Sequence, residues 1–211
     1  MVRIIAGEFG SRRLRAPRGV AVRPTADRVK ESLFSVLGPR VAGARVLDLY
    51  AGTGNLGIEA LSRGAATCLF VEKSPAACLV LRDNIAALGL GERAAVLRLD
   101  AARALELPTG PAGRFTLVFV DPPYATGARA PHGGRGAPPG GDTPRVPRLR
   151  NGASEFRKIL LALDGCATLA RGAFVAAEHC RFDEPPDGLR VLRMLEQRRY
   201  GETALSFFTV P

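Results

Sequence analysis

Apolar residues follow two alternating patterns along this chain. Short continuous runs, rich in β-branched and aromatic types, stand at Arg45-Val46-Leu47-Asp48, 67–72, 95–100, 115–120 and 172–178. Runs of that kind read as strands buried on both faces. Between them apolar residues recur at helical spacing. Val29, Leu33 and Val36 or Leu37 make one such stripe, behind Thr25 as a candidate N-cap and Asp27 in the first turn. A second helix follows Asn55 and ends at Gly64. A third is predicted over 75–88 with Ser74 as its cap, and its Asp83 and Asn84 are expected to face solvent. Phe156, Ile159, Leu160 and Leu163 stripe another over 154–163. Strands alternating with helices predict an α/β fold, with a mostly parallel, doubly wound sheet and right-handed crossovers. The end of the chain differs: 189–198 and 203–210 flank Arg199-Tyr200-Gly201-Glu202 and predict an antiparallel C-terminal hairpin. Residues 3–15 alternate around Gly and Ser and predict a small N-terminal β-hairpin.

What ends each strand carries the candidate chemistry. The runs finish in Asp48, Glu72, Asp100 and Asp121. Any one acid could be a helix cap. Four at the carboxyl ends of neighbouring strands are better explained by one ligand crevice. After Asp48 comes Gly52-x-Gly54-x-x-Gly57, which fits the dinucleotide fingerprint. Glu72 stands where a carboxylate accepts from ribose hydroxyls, a device shared by several nucleotide cofactors. The strand over 115–120 stops at Asp121-Pro122-Pro123-Tyr124. Two prolines lock φ and remove two backbone donors, so the strand cannot continue. An acid, a rigid bend and an aromatic ring are thereby held at the carboxyl edge of a buried strand.

Size and charge narrow the class. The 211 residues suffice for one domain, expected over 23–211, with a basic hairpin appendage at 1–22. Residues 125–150 are crowded with Gly, Pro and Arg, show no periodicity, and are expected to form a flexible insertion. The net charge of +10 points to a polyanionic partner such as nucleic acid. Arg3, Arg12, Arg13 and Arg15 would stand on the hairpin and either grip an RNA backbone or form a solvated face. Arg23 and Arg28 follow at the first helix and join them as RNA-contact candidates. No Cys-x-x-Cys spacing occurs, and His132 and His179 stand alone, so no metal site is expected. No apolar run is long enough to span a bilayer and no secretory signal is legible, so a cytoplasmic, monomeric protein is expected.

Asp121-Pro122-Pro123-Tyr124 resembles motif IV of S-adenosylmethionine-dependent amino-group methyltransferases, and Asp48 with Ala51-Gly52-Thr53-Gly54 resembles their motif I. The wider set resembles one family from end to end: RsmD, the bacterial 16S rRNA guanine-N2 methyltransferases. It comprises Arg3-Ile4-Ile5-Ala6-Gly7, Arg23-Pro24-Thr25 through Phe34, Leu47-Asp48-Leu49-Tyr50-Ala51-Gly52-Thr53-Gly54 through Gly64, motif IV, and Tyr200-Gly201-Glu202-Thr203. The resemblance implies a class I (Rossmann-like) methyltransferase fold, with S-adenosylmethionine as cofactor and 16S rRNA or the small ribosomal subunit as partner. It also implies roles. Asp48, Ala51, Gly52, Gly54 and Glu72 would hold the cofactor, with Asp100 and Ala101 at its adenine. Asp121 and the Pro122 carbonyl would accept from the target amine, Pro123 would set the bend, and Tyr124 would stack on the base. Adenine N6 and cytosine N4 in DNA or RNA present the same kind of amine and remain alternatives. An NAD-dependent oxidoreductase and a non-catalytic RNA-binding assembly factor are the readings of other classes.

Overall fold

A computed structural model of the chain describes residues 2–16, 27–108, 114–123 and 154–211. Tyr124, Arg23, Thr25 and the insertion expected at 125–150 lie outside them. Helices α1 (Asp27–Leu37), α2 (Asn55–Ser62), α3 (Pro75–Ala87), α4 (Ala101–Glu106) and α5 (Glu155–Asp164) alternate with the strands of one sheet. Those strands are β3 (Arg45–Asp48), β4 (Thr67–Val71), β5 (Ala94–Leu97), β6 (Phe115–Val120), β7 (Leu169–Cys180), β8 (Arg193–Tyr200) and β9 (Thr203–Thr209). Their order is β5-β4-β3-β6-β7-β9-β8. β3 to β7 run parallel, while β9 is antiparallel to both β7 and β8. The chain winds outward from β3 in one direction and from β6 in the other. Their shared carboxyl edge is therefore a topological switch point.

Two apolar layers sandwich the sheet. On one face Phe34, Leu33, Ile58, Leu61 and Leu81 pack against Val46, Phe70, Phe119 and Phe207. On the other, Phe156, Ile159, Leu160 and Leu163 of α5 cover Val118, Val120, Val175 and Phe208. Gly57 lets α2 lie close to β4, because a Cβ there would run into the Phe70 ring and the Cys68 sulfur. Gly54 caps α2 at a φ of 91°, a left-handed conformation that glycine takes without strain.

β1 (Val2–Arg3) and β2 (Arg13–Leu14) form the short N-terminal hairpin. Val2, Ile4, Phe9 and Leu14 are buried in the same apolar layer as α1 and α2. The hairpin is also fastened by polar contacts to α2: the Ile5 and Ala6 amides donate to Glu59, and the Phe9 amide donates to the Ser62 hydroxyl.

Four local expectations change. The strand expected over 95–100 runs Ala94–Leu97, and Asp100 lies beyond it because its side chain turns to cap α4. Asn84 is buried rather than solvent-facing: its Nδ2 donates to the carbonyls of Thr53 and Arg15, and its Oδ1 accepts from the Arg15 amide. Its partners come from two other elements, which helical periodicity does not register. The strand expected to begin at Gly172 begins at Leu169, and the register against β6 shifts between Phe115 and Leu117. Gly172, at a φ of 75°, sits inside this irregular part of the strand and does not mark its start. The terminal hairpin begins at Arg193 rather than 189, because the amides of Arg190, Val191 and Leu192 turn onto the Asp164 carboxylate. Among the described residues, no helix is long and apolar enough to cross a membrane.

Candidate active site

β3 ends at Asp48 and turns through Ala51-Gly52-Thr53-Gly54 into α2. The turn is pinned at each step. The Ala51 amide donates to the Val71 carbonyl, and the Gly54 amide to that of Ala51. The Gly52 amide donates to Glu72 Oε2 at 2.9 Å, and the Ser74 amide to Glu72 Oε1 at 2.7 Å. One carboxylate thus ties the β3 turn to the end of β4 and keeps lone pairs toward the crevice. Asp100 caps α4 by accepting from the Ala102 amide at 3.0 Å. Asp121, Pro122 and Pro123 follow the buried end of β6.

These ends converge. A cleft of about 490 Å³ is lined by Glu72, Asp100, Ala101, Asp121, Pro122 and Pro123, together with Tyr50, Lys73, Glu178 and the apolar Leu49, Val71 and Leu99. Asp48, Ala51, Gly52 and Gly54 are not in its wall. Asp48 lies beneath the glycine turn, 1% exposed, with Oδ2 accepting from the Gly57 amide at 3.0 Å. It shapes the turn from behind. Of the RNA-contact candidates, Arg3 is exposed and pairs with Asp27, and Arg15 pairs with Asp83. Arg12 lies over the Phe9 ring, and Arg13 and Arg28 are exposed. Arg12, Arg13 and Arg15 border a second cavity of about 270 Å³ with Asn84 and Leu88. Tyr200 does not line the cleft: it is half-buried, and its hydroxyl bonds to that of Ser32 on α1. Arg199 is exposed and pairs with Glu184.

Sequence reasoning missed Tyr50, Lys73 and Glu178. Glu178 obeys the rule that found the other acids, since it stands near the carboxyl end of β7. Tyr50 stands two residues past the acid that ends β3, and its hydroxyl donates to Glu155 Oε1 at 3.1 Å. Burial, with the Glu155 charge beside it, pushes the Tyr50 phenol well above its ordinary range, so it stays a protonated donor.

The charges select among ligands. Four carboxylates face a cleft in which Lys73 is a single cation among the described lining residues. That field favours a cationic ligand that offers hydroxyl donors, and it opposes a pyrophosphate. Two of the amides a pyrophosphate would use are also engaged. Gly57, in the first turn of α2, donates to Asp48, and Gly52 donates to Glu72.

Burial raises the Asp48 carboxyl to about 7, helped by the Glu72 charge and opposed by the Gly57 and Tyr50 amides. The folded protein therefore holds this proton at pH values where the unfolded chain has lost it. Stability contributed by the protonated form is full below about 4 and falls as pH rises through about 7. The loss by pH 8 is on the order of 4 kcal/mol at most. Asp48→Asn keeps an acceptor for the Gly57 amide without the charge. It is expected to stabilise the protein by about 2 kcal/mol at pH 8 and to change little near pH 4. Urea unfolding at the two pH values measures this, and a destabilised variant at pH 8 would count against a carboxyl raised by burial.

The comparisons with known proteins agree with this architecture. Residues 2–131 match the family model described as Conserved hypothetical protein 95. Over 207 residues the chain is 34% identical to "Putative rRNA methyltransferase YlbH" of Bacillus subtilis (strain 168), covering 98% of each chain. It is 41% identical over 126 residues to "Ribosomal RNA small subunit methyltransferase D" of Escherichia coli (strain K12), covering 60% of this chain and 62% of that one. The solved structure titled "Putative methyltransferase yhhF from Escherichia coli" superposes with a TM-score of 0.75 at 28% identity, covering 99% of this chain and 97% of that chain. A Thermus thermophilus 16S rRNA N2 G1207 methyltransferase, solved with AdoMet and guanosine, shares the fold at a TM-score of 0.61 and 20% identity. The class I methyltransferase architecture, the nearly full-length match to the B. subtilis protein and the family match over 2–131 lead to one conclusion: this chain belongs to the RsmD family of methyltransferases.

Proposed function

We propose that the protein transfers a methyl group from S-adenosylmethionine to the exocyclic N2 amine of a guanine in 16S rRNA, as free RNA or within the small subunit, in the cytoplasm. The observation that carries this reading is the shared cleft. Asp121 and Pro122, the expected amine acceptors, line the same cavity as Glu72 and Asp100, the expected cofactor partners. The names of the relatives support an rRNA target.

S-adenosylmethionine supplies, when bound, an electrophilic methyl on a sulfonium sulfur that leaves as a thioether. The residues present fit such a group: acids suit its positive charge, and Val71 and Leu99 give the cleft apolar walls for an adenine ring. Glu72, already fixed by the Gly52 and Ser74 amides, keeps lone pairs for the ribose hydroxyls. Asp121 and the Pro122 carbonyl hold the amine. An aromatic amine is a poor nucleophile because its lone pair is delocalised into the ring. Two fixed acceptors favour a more pyramidal nitrogen and stabilise the positive charge that grows as the N–C bond forms. The Pro-Pro bend contributes alignment. The proton released from nitrogen passes to Asp121 or water.

The direct test is mapping. Small subunits from a strain lacking the protein are incubated with it and labelled S-adenosylmethionine, and the digested rRNA is read by mass spectrometry. One N2-methylguanosine is expected, and methyl on an adenine or cytosine amine would redirect the assignment. Glu72→Gln places an amide donor against the Gly52 or Ser74 amide. It is expected to weaken S-adenosylhomocysteine binding by at least about tenfold in calorimetry. Unchanged affinity would remove Glu72 from the cofactor site.

A further inference from the structure

We propose that Glu178 accepts from the N1–H of the target guanine and so sets the base specificity of the site. This rests on the guanine-N2 reading above and extends it to the choice among bases. β6 and β7 are adjacent parallel strands, with Val120 opposite Ala177. One step further along, Asp121 lies just past the end of β6 and Glu178 stands within β7, on neighbouring backbone segments spaced by about 4.8 Å. Both line the cleft. Glu178 is 5% exposed and lies inside the sheet, opposite Leu205 of β9, so its backbone is fixed.

Two acceptors side by side suit one nucleobase edge. Guanine presents N1–H and the N2 amine as adjacent donors. Adenine presents its N6 amine beside the N1 lone pair, and cytosine its N4 amine beside the N3 lone pair. With Asp121 and the Pro122 carbonyl on the amine, the adjoining ring nitrogen falls toward Glu178. A carboxylate there receives the guanine proton and opposes the lone pair of the other two bases. A mismatch leaves a buried charge facing an acceptor, which is rejected far more strongly than a missing apolar contact. Asp121 thus suits any aromatic amine, and Glu178 separates guanine from the rest.

The test uses rRNA fragments spanning the mapped nucleotide, with either guanine or 2-aminopurine at that position. 2-Aminopurine keeps the N2 amine and replaces N1–H with a lone pair. The unaltered protein is expected to favour guanine by at least about a hundredfold in kcat/KM. Glu178→Gln can donate from its amide, and is expected to lower that preference at least about tenfold. The same variant should bind the 2-aminopurine fragment more tightly, read by the fluorescence of the base itself. Glu178→Met, of similar volume and without an acceptor at that point, should slow transfer to guanine and leave 2-aminopurine within about threefold. Retained stabilisation by S-adenosylhomocysteine in a thermal shift shows that each variant folds. With an active protein, an unchanged preference in both variants, or equal losses on both fragments, overturns the role of Glu178 alone. Where a fragment is not a substrate, small subunits reconstituted with the same two bases replace it, and a mapped methyl on an adenine or cytosine amine is the result that sinks the guanine-N2 reading itself.

Discussion

Asp121→Ala is expected to lower methyl transfer by at least about a hundredfold while S-adenosylhomocysteine binds within about threefold. The side chain follows the last residue of a strand whose Leu117 to Val120 are all fully buried. Pro122, buried beside it, and Pro123 remove the backbone freedom that would let the acid drift. A carboxylate so placed costs little reorganisation when charge develops on the amine, and this is why its loss should appear in kcat rather than in cofactor affinity. Asp121→Asn separates charge from geometry. It keeps one acceptor oxygen but loses the negative charge, so an intermediate rate is expected. Single-turnover transfer of labelled methyl, with calorimetry of S-adenosylhomocysteine alongside, measures both. Near-normal turnover in Asp121→Ala would remove this residue from the chemistry, and lost cofactor binding would move it to the cofactor side of the cleft.

The second large effect is expected far from the cleft wall, at Glu59. This side chain is 0% exposed and accepts at both oxygens: Oε2 from the Ile5 amide at 2.7 Å and Lys30 Nζ at 3.1 Å, Oε1 from the Ala6 amide at 3.1 Å and Arg63 Nε at 2.7 Å. Lys30 is itself 1% exposed, donates further to Asn55 Oδ1 and the Arg3 carbonyl, and has its ammonium pushed below the ordinary lysine range by burial, against the pull of Glu59. The network joins the N-terminal hairpin, α1, and the helix that follows the glycine turn. Glu59→Ala leaves a buried ammonium and two backbone donors without their acceptor. A destabilisation of about 3–5 kcal/mol is expected, a fall in Tm of about 10 °C for a chain of this size. Replacing Lys30 and Glu59 together with methionine should recover much of this loss, because no fully buried charge remains and Arg63, the other partner, reaches solvent. Urea unfolding of the single and double variants decides it. Additive losses in the double variant would mean the two charges do not depend on each other.

Much of the site could be read from single stretches. The β-branched run before Asp121 and the two prolines after it can scarcely form anything but a buried strand that stops. Ser74 and Ser154 cap α3 and α5 as serine before a helical stripe should, each accepting from an amide three residues on. What misled was polarity judged by neighbours in the chain. Asn84 sits beside Asp83 on a helix and looks like part of a wet face, yet the Thr53 and Arg15 backbones make it a buried clamp. Asp48 carries the same ambiguity. Its position before the glycines is legible, but the direction of its carboxylate, beneath the turn and onto Gly57, is a property of how α2 packs on β3.

The amino-acid order by itself therefore determined the sequence of the main strands and helices, the acids at or just past the ends of β3 to β6, and the rigid stop after Asp121, because these follow from dihedral preferences and apolar spacing over a few residues. The tertiary structure alone decided which acids share a wall. Strand order β5-β4-β3-β6-β7 brings Glu72, Asp100, Asp121 and Glu178 around one cleft and leaves Asp48 behind it. It also decided that Glu59 and Lys30 would meet under the hairpin. Such pairings join residues far apart in the chain, and register and packing choose them only when the sheet closes.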